Sequence, residues 1–323
     1  MDRDEREALA EKRLTNILRK YTIASARTLE QKISDAGPNN QRIDPHILTP
    51  VRNGMISSNK LVRVDKQGIP WYHLPDTDTR HIKQKHQHLL DIHKRTQKNK
   101  TILRVGQALE IAIYRSLSNQ SELNYLGHFE DIDTRDDSKL YTKVEPPNHF
   151  SNNVIPGNKC LDFLVLKESI LGGIEAKNTR EWLYPDRSEV KDFLYKCCAL
   201  DAVPVLIARR IPFVTFKLLN ACGCIVHQTY RQYYPESERE LAEDLKDKTL
   251  FGYHDLTLGN QPDARLNKFI HENLPKQLPL MRPKFEEFKD LAAMYGSGEI
   301  EYKAFAARVR RREQGTNEDR DSE

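Results

Sequence analysis

The chain has 323 residues, more than a single hydrophobic core usually serves, so two or three domains are expected. Lys plus Arg number 51 against 47 Asp plus Glu, a formal charge of +4, and the 38% hydrophobic and 30% charged content is that of a soluble globular protein. No run approaches the ~18 apolar residues that span a bilayer, which excludes a membrane-spanning chain; the most apolar stretch, 203–216, is broken by Arg209, Arg210 and Pro212. The N-terminal MDRDEREALAEKR has no apolar signal core, so secretion is not expected. Five cysteines without framework spacing suggest reduced thiols in a cytoplasmic protein.

The first 76 residues read as a small helical domain ending in a hairpin. Leu14, Ile17, Leu18 and Tyr21 follow the spacing of one buried helix face. A second helix is expected over 28–36, with Leu29 and Ile33 inward and Gly37-Pro38 as its stop. A third begins at Asp44-Pro45, a cap residue followed by proline at the first helical position, and ends near Asn53-Gly54. Pro50 removes a hydrogen bond within it and predicts a bend, or a start at Thr49. Residues 60–64 and 69–74 read as strands joined by a turn at 65–68. Three short helices followed by a hairpin, in HILTPVRNGMISSNKLVRV…GIPWYHL, resemble a winged helix-turn-helix domain. The resemblance implies DNA contact through Asn40, Arg42, His46 and Arg52 near the third helix and through Arg63 and Lys66 on the wing; dimerisation or protein docking is the other use of such domains.

A basic linker helix is expected over 77–100. From Arg80 to Arg104 the chain carries Arg80, Lys83, Lys85, Lys94, Arg95, Lys98, Lys100 and Arg104 against Asp91, with histidines at 81, 86, 88 and 93 that read as surface residues. Such a block attracts a polyanion or stays solvated. Residues 101–235 then alternate helix and strand signals: a helix marked by Ile102, Val105, Leu109, Ala112, Ile113 and Leu117, strands over 123–129, 160–166 and 171–177, a helix over 188–201, a buried strand over 203–208, a helix over 212–220 and a strand over 224–230. This order predicts an α/β domain with a mixed sheet flanked by helices. Residues 236–312 read as a helical C-terminal extension and 313–323 as a disordered tail.

One constellation stands out. Asp162 interrupts the apolar CLDFLVL, and Glu175 lies thirteen residues further on, with Lys177 two positions beyond it. Residues i and i+2 of a strand share a face, so Glu175 and Lys177 project together, and a hairpin brings Asp162 beside Glu175. Charges in segments this apolar are costly unless paired or metal-bound. Two converging carboxylates with a lysine suit a hard divalent cation such as Mg²⁺.

The string LDFLVLKESILGGIEAKN resembles the PD-(D/E)xK nuclease superfamily, in which an aspartate precedes an acid-x-lysine on the next strand. The resemblance covers about 101–230 and implies a restriction-endonuclease-like core between the winged-helix domain and the C-terminal helices. The helix RVGQALEIAIYRSL offers Glu110 for the additional helix glutamate, and Leu161 stands where the family pattern has proline. The implied function is Mg²⁺-dependent hydrolysis of DNA phosphodiesters, with Mn²⁺ able to substitute. Asp162, Glu175 and the Ala176 carbonyl would hold metal with Glu110, and Lys177 would position water or stabilise the transition state. Asn178, Arg180, Arg187 and Lys191 would meet phosphates at the mouth of the site.

Restriction or another form of antiviral defence in a prokaryotic cell is the corresponding biology, with the protein cytoplasmic or nucleoid-associated. Cutting both strands implies a homodimer. The alternatives are a structure-selective nuclease (junction resolvase or repair enzyme) and a non-catalytic DNA-binding regulator, and RNA stays open as a substrate. Locally, the competing reading of the motif is a Glu175–Lys177 ion pair on an edge strand with Asp162 capping a turn. Cys197, Cys198, Cys222 and Cys224 read as buried thiols, because adjacent helix residues diverge by about 100° and hardly share one zinc ion.

Overall fold

The computed structural model describes residues 2–34, 43–133 and 137–316. The chain forms two compact units, Met1–Ile102 with Glu238–Leu256, and Leu103–Ser237 with Thr257–Glu323. The stretch expected as one C-terminal extension is therefore divided between them.

In the first unit, α1 (Arg3–Tyr21) starts at a capping box in which the Asp2 carboxylate accepts from the Glu5 amide, and it buries Ala10, Leu14 and Leu18. A short strand, β1 (Ile23–Ser25), leads into α2 (Ala26–Ile33), capped by the Ser25 hydroxyl, which accepts from the Thr28 amide at 3.2 Å. The third helix, α3 (Pro45–Ser57), contains Pro50 and continues past Asn53-Gly54, so it does not start at Thr49 and is longer than the sequence suggested. Its buried side, Ile47, Leu48 and Met55, joins Leu14, Leu18, Leu29, Ile33 and Tyr72 in one core, and that packing outweighs the single lost hydrogen bond. The hairpin β2 (Val62–Lys66) and β3 (Ile69–His73) pairs antiparallel, and β1 adds to the free side of β3.

The basic segment forms α4 (Thr79–Thr96), and it is not simply a solvated linker. Ile82, His86, Leu89 and His93 fall at i, i+4, i+7 and i+11 and make its buried stripe. His86 and His93 are thus core residues, which corrects the surface reading, whereas His81 and His88 are exposed. The His86 ring lies 4.8 Å from that of Trp71, and Arg95 pairs with Asp244 at 2.6 Å.

The second unit is α/β. Helix α5 (Asn99–Ser118), which contains the unit boundary, is followed by a five-stranded sheet of β4 (Asn124–Leu126), β5 (Phe163–Lys167), β6 (Ile170–Lys177), β7 (Val203–Ala208) and β8 (Ile225–Gln228), in the order β8-β7-β6-β5-β4. The pairs β4–β5 and β5–β6 are antiparallel; β6–β7 and β7–β8 are parallel. The strand expected over 123–129 breaks at Gly127, whose φ of +98° ends β4. The crossovers are α6 (Ser188–Leu200) and α7 (Phe213–Ala221).

Alternation along the strands divides the core. Phe163, Val165, Ile174, Val205 and Ile207 face one side with Leu109 and Ile113 of α5; Leu164, Leu171, Leu206 and Ala208 face the other with Phe193, Leu194 and Cys197 of α6. Gly173 lets α6 sit close, since a Cβ there would lie 2.5 Å from Leu161 Cδ1 and 3.2 Å from Cys197 Sγ.

Within the extension expected to be helical, DARLNKFIHENL and KFEEFKDLAAMY form one helical run, through a helix at Ala264–Lys268 and a wider turn at Phe269–Asn273, into α8 (Leu274–Ser297). Phe285, Phe288, Leu291 and Tyr295 of α8 are buried in the core of the sheet. Gly223 has φ +75°, and a Cβ there would collide with the Phe285 backbone. The last helix, α9 (Tyr302–Glu313), adds Phe305 and Val309, with the Phe305 ring stacked 4.4 Å from that of Tyr295. Glu313, expected to open a disordered tail, is the last residue of α9; residues 317–323 lie outside the described set.

Candidate active site

The Asp162 amide donates to the Ile174 carbonyl at 3.0 Å, carrying the β5–β6 pairing one residue past Phe163 opposite Ile174. That register sets Asp162 across from Glu175, where Cβ atoms lie roughly 5 Å apart. Asp162 is fixed from both sides: Oδ2 accepts from the Ala176 amide at 2.7 Å and Oδ1 from Lys143 Nζ at 3.2 Å. Glu175 has only 5% of its surface exposed. Its Oε1 accepts from Lys177 Nζ and its Oε2 from Lys196 Nζ, both at 2.7 Å. Lys196 also donates to the Cys160 carbonyl at 3.1 Å and pairs with Asp192 at 3.3 Å.

Glu110 comes from α5. Its Oε2 lies 2.8 Å from Lys143 Nζ, which also reaches Glu145 at 3.0 Å. Because one ammonium bonds both Glu110 and Asp162, those two carboxylates are neighbours. The expected Glu110, Asp162, Glu175 and Lys177 therefore meet at one end of the β5–β6 hairpin. β6 is flanked by strands on both sides, so the edge-strand reading of Glu175–Lys177 does not hold.

The electrostatics show crowding of negative charge. Burial, then the charge of Asp162, raises the Glu110 carboxyl to about 7, against the pull of Lys143. Glu175 is raised for the same two reasons, opposed by Lys177 and Lys196. Burial lowers Lys177 and Lys196, but the surrounding carboxylates (Glu175 first, then Asp162, and for Lys196 also Asp192) together outweigh it and both end above the ordinary lysine value. Among the described residues no group of three His, Cys, Asp or Glu is arranged to hold a metal ion. The carboxylate oxygens that a cation would need are held by ammonium groups at 2.7 to 3.2 Å. The donor set itself, buried carboxylates with an excess of negative charge, has the chemistry of a hard-cation site.

Lys143, Lys196, Glu145 and Asp192 were not anticipated. Lys196 had a signal: it sits on the apolar face of α6 with Phe193, Cys197 and Leu200, where the pattern calls for a hydrophobic residue. Lys143 had none, since it lies in a two-residue strand, Lys143–Val144, between loops.

The expected nucleic-acid contacts divide. His46, Arg63 and Lys66 are exposed, although Arg63 is already forked onto Asp65 at 2.8 Å. Arg52 is buried with its guanidinium 4.9 Å from the centre of the Tyr72 ring, so it is a core residue and not a groove contact. Asn40 and Arg42 lie outside the described residues. Asn178 is also buried: it donates to the Val105 and Tyr233 carbonyls at 2.5 and 2.8 Å and accepts from the Tyr233 amide at 3.0 Å. Its position is structural. Arg180 bonds Gln232 at 3.4 Å, Arg187 pairs with Glu181 and Glu189 at 2.9 and 3.0 Å, and Lys191 pairs with Glu301 at 3.4 Å. The cysteines are all free thiols, with Cys197, Cys222 and Cys224 buried.

Comparison with known proteins gives no match to any protein family, curated protein or solved structure.

Proposed function

We propose that the chain is a divalent-metal-dependent DNA endonuclease. The observation that carries this reading is the cross-strand placement of Asp162 against Glu175, with Lys177 on the same face of β6. The order α5, β4, β5, β6, α6, β7, with an antiparallel meander and then a parallel strand, supports the resemblance to the restriction-endonuclease-like core. The order α1, α2, α3, β2, β3 supports the winged-helix reading of the first unit as the DNA-reading module. Cutting both strands needs two such sites, hence a homodimer.

Asp162, Glu175 and the Ala176 carbonyl, with Glu110 beside them, would hold Mg²⁺ or Mn²⁺, which supplies Lewis-acid stabilisation and an acidified water. The chain's own groups do the rest. The Ala176 amide aims the Asp162 carboxylate, and Lys196 fixes one oxygen of Glu175. Lys177 brings a positive charge to the point where charge develops on the phosphate. The apolar residues of α5 and α6 keep the floor of the site dry, which strengthens each of these interactions.

The test is incubation of the purified chain with supercoiled plasmid, branched and flapped DNA, and RNA, with Mg²⁺ and with EDTA. Cleavage that EDTA stops, and that Asp162→Ala and Lys177→Ala abolish without loss of DNA binding, is the expected result. Discrete plasmid fragments would favour sequence recognition, and preference for branched DNA a structure-selective enzyme. No cleavage of any nucleic acid with Mg²⁺ or Mn²⁺ would refute the proposal and leave a DNA-binding regulator.

A further inference from the structure

Lys143 is the feature that a metal-dependent hydrolase does not require. Its ammonium group lies among three carboxylates, 2.8 Å from Glu110, 3.0 Å from Glu145 and 3.2 Å from Asp162, and its side chain is 9% exposed. The Phe163 ring closes the remaining side, its centre 5.3 Å from Nζ. Two of these carboxylates belong to the proposed metal-binding set. Lys143 is carried by neither α5 nor the main sheet: among the described residues its two-residue strand, Lys143–Val144, pairs only with His128–Phe129. A short pairing of this kind opens at lower cost than a sheet strand.

We infer that Lys143 is a tethered counter-cation that occupies the position of the divalent ion and holds the site latent until it withdraws. The inference rests on the metal-dependent nuclease reading. The charges favour such an exchange. Three carboxylates with one ammonium leave a net negative cage, which a dication neutralises further. Tethering gives the ammonium a high local concentration, so free metal must outcompete it. Glu145, two residues from Lys143, would leave the cage with it, while Glu110 and Asp162 stay on α5 and at the start of β5. The device sets a threshold: the site accepts metal only above the concentration that displaces the lysine.

The experiment is Mn²⁺ binding to the full chain by isothermal titration calorimetry, for wild type, Lys143→Met and the double variant Lys143→Met/Asp162→Asn, with thermal unfolding in EDTA and in Mn²⁺. Lys143→Met should bind Mn²⁺ about tenfold tighter or more than wild type. It should unfold at lower temperature in EDTA and gain more from Mn²⁺ than wild type does, and the double variant should lose both effects. Should Lys143→Met need Mn²⁺ to fold at all, the same conclusion follows. Equal or weaker Mn²⁺ affinity in Lys143→Met overturns the inference and leaves the nuclease reading standing. Binding by neither protein at millimolar Mn²⁺ overturns both, and tight binding that survives Asp162→Asn places the ion elsewhere and overturns the inference.

Discussion

Lys196 offers the sharpest test of the site's electrostatics. Replacing it with methionine keeps the bulk of the chain in α6 but removes the ammonium from Glu175 Oε2, Asp192 and the Cys160 carbonyl. Glu175 then keeps Lys177 alone as its cation. Breaking a buried ion pair from one side costs about 3–5 kcal/mol, most of it the penalty of the stranded charge. The penalty depends on pH in a definite sense. Glu175 is already raised above its ordinary value of 4.5 by burial and by Asp162, and Lys196 opposes that rise. Without Lys196 the folded protein retains the Glu175 proton to higher pH than the unfolded chain does. Stability is therefore fully present below 4.5 and lost as pH rises through the folded value. The variant's deficit should be smallest below 4.5 and should grow as the pH rises above it. Hydrogen-exchange mass spectrometry of peptides spanning Ile170–Lys177, in increasing urea, reads the opening of this sheet separately from the first unit. Adding Glu175→Gln to the variant should recover most of the loss, because the stranded charge is then gone. A deficit under about 1 kcal/mol at pH 8, or one that does not change with pH, would refute the reasoning.

Three further outcomes are expected. Asn178→Ala leaves the Val105 and Tyr233 backbone groups unpaired, so it should destabilise the second unit by about 3 kcal/mol while DNA affinity measured by fluorescence anisotropy stays within about twofold; a selective loss of DNA binding would restore the phosphate-contact role. His93 and His227 are both lowered from 6.5 to about 4, chiefly by burial. The folded protein binds fewer protons across that window, so stability is full above 6.5 and falls by at most about 3 kcal/mol for each histidine as pH drops towards 4. In urea titrations His93→Phe and His227→Phe should each flatten part of this fall, and unchanged pH profiles would count against it. Replacing exposed His46 and Lys66 with glutamine should weaken DNA binding equally across sequences if they touch phosphate, and the loss of Lys66 should reduce the salt slope by about one ion; Arg52→Gln should act on stability, since its guanidinium is spent on Tyr72.

The α/β character of the second unit and the convergence of Asp162, Glu175 and Lys177 were legible because period-two alternation and an acid inside an apolar run are local signals. So was the candidacy of Glu110, an acid on a largely apolar helix. Lys143 was not legible, because a two-residue strand has no periodicity and its partners in the proposed site, Asp162 and Glu110, lie 19 and 33 residues away along the chain. Charge alone misled for Arg52, His86 and His93. Each belongs to a basic or polar stretch, yet each occupies a position where the buried face of a helix sets the environment. Asn178 misled for a related reason: it follows the acid-x-lysine strand, but an amide with two donors and an acceptor is also what three buried backbone groups need. Pro50 does not mark the start of α3, because core packing along that helix counts for more than one hydrogen bond.

The contact of Gly223 with Phe285 bears on the order of events during synthesis. The β5–β6 hairpin that carries the acids leaves the ribosome about a hundred residues ahead of the part of α8 that covers the sheet. A nascent polypeptide ending before Phe285 has the acidic cluster without the apolar cover that keeps its strands in register, so it should be inert toward nucleic acid. On the nuclease reading proposed above, the chain would thereby become competent only after its own translation is nearly finished.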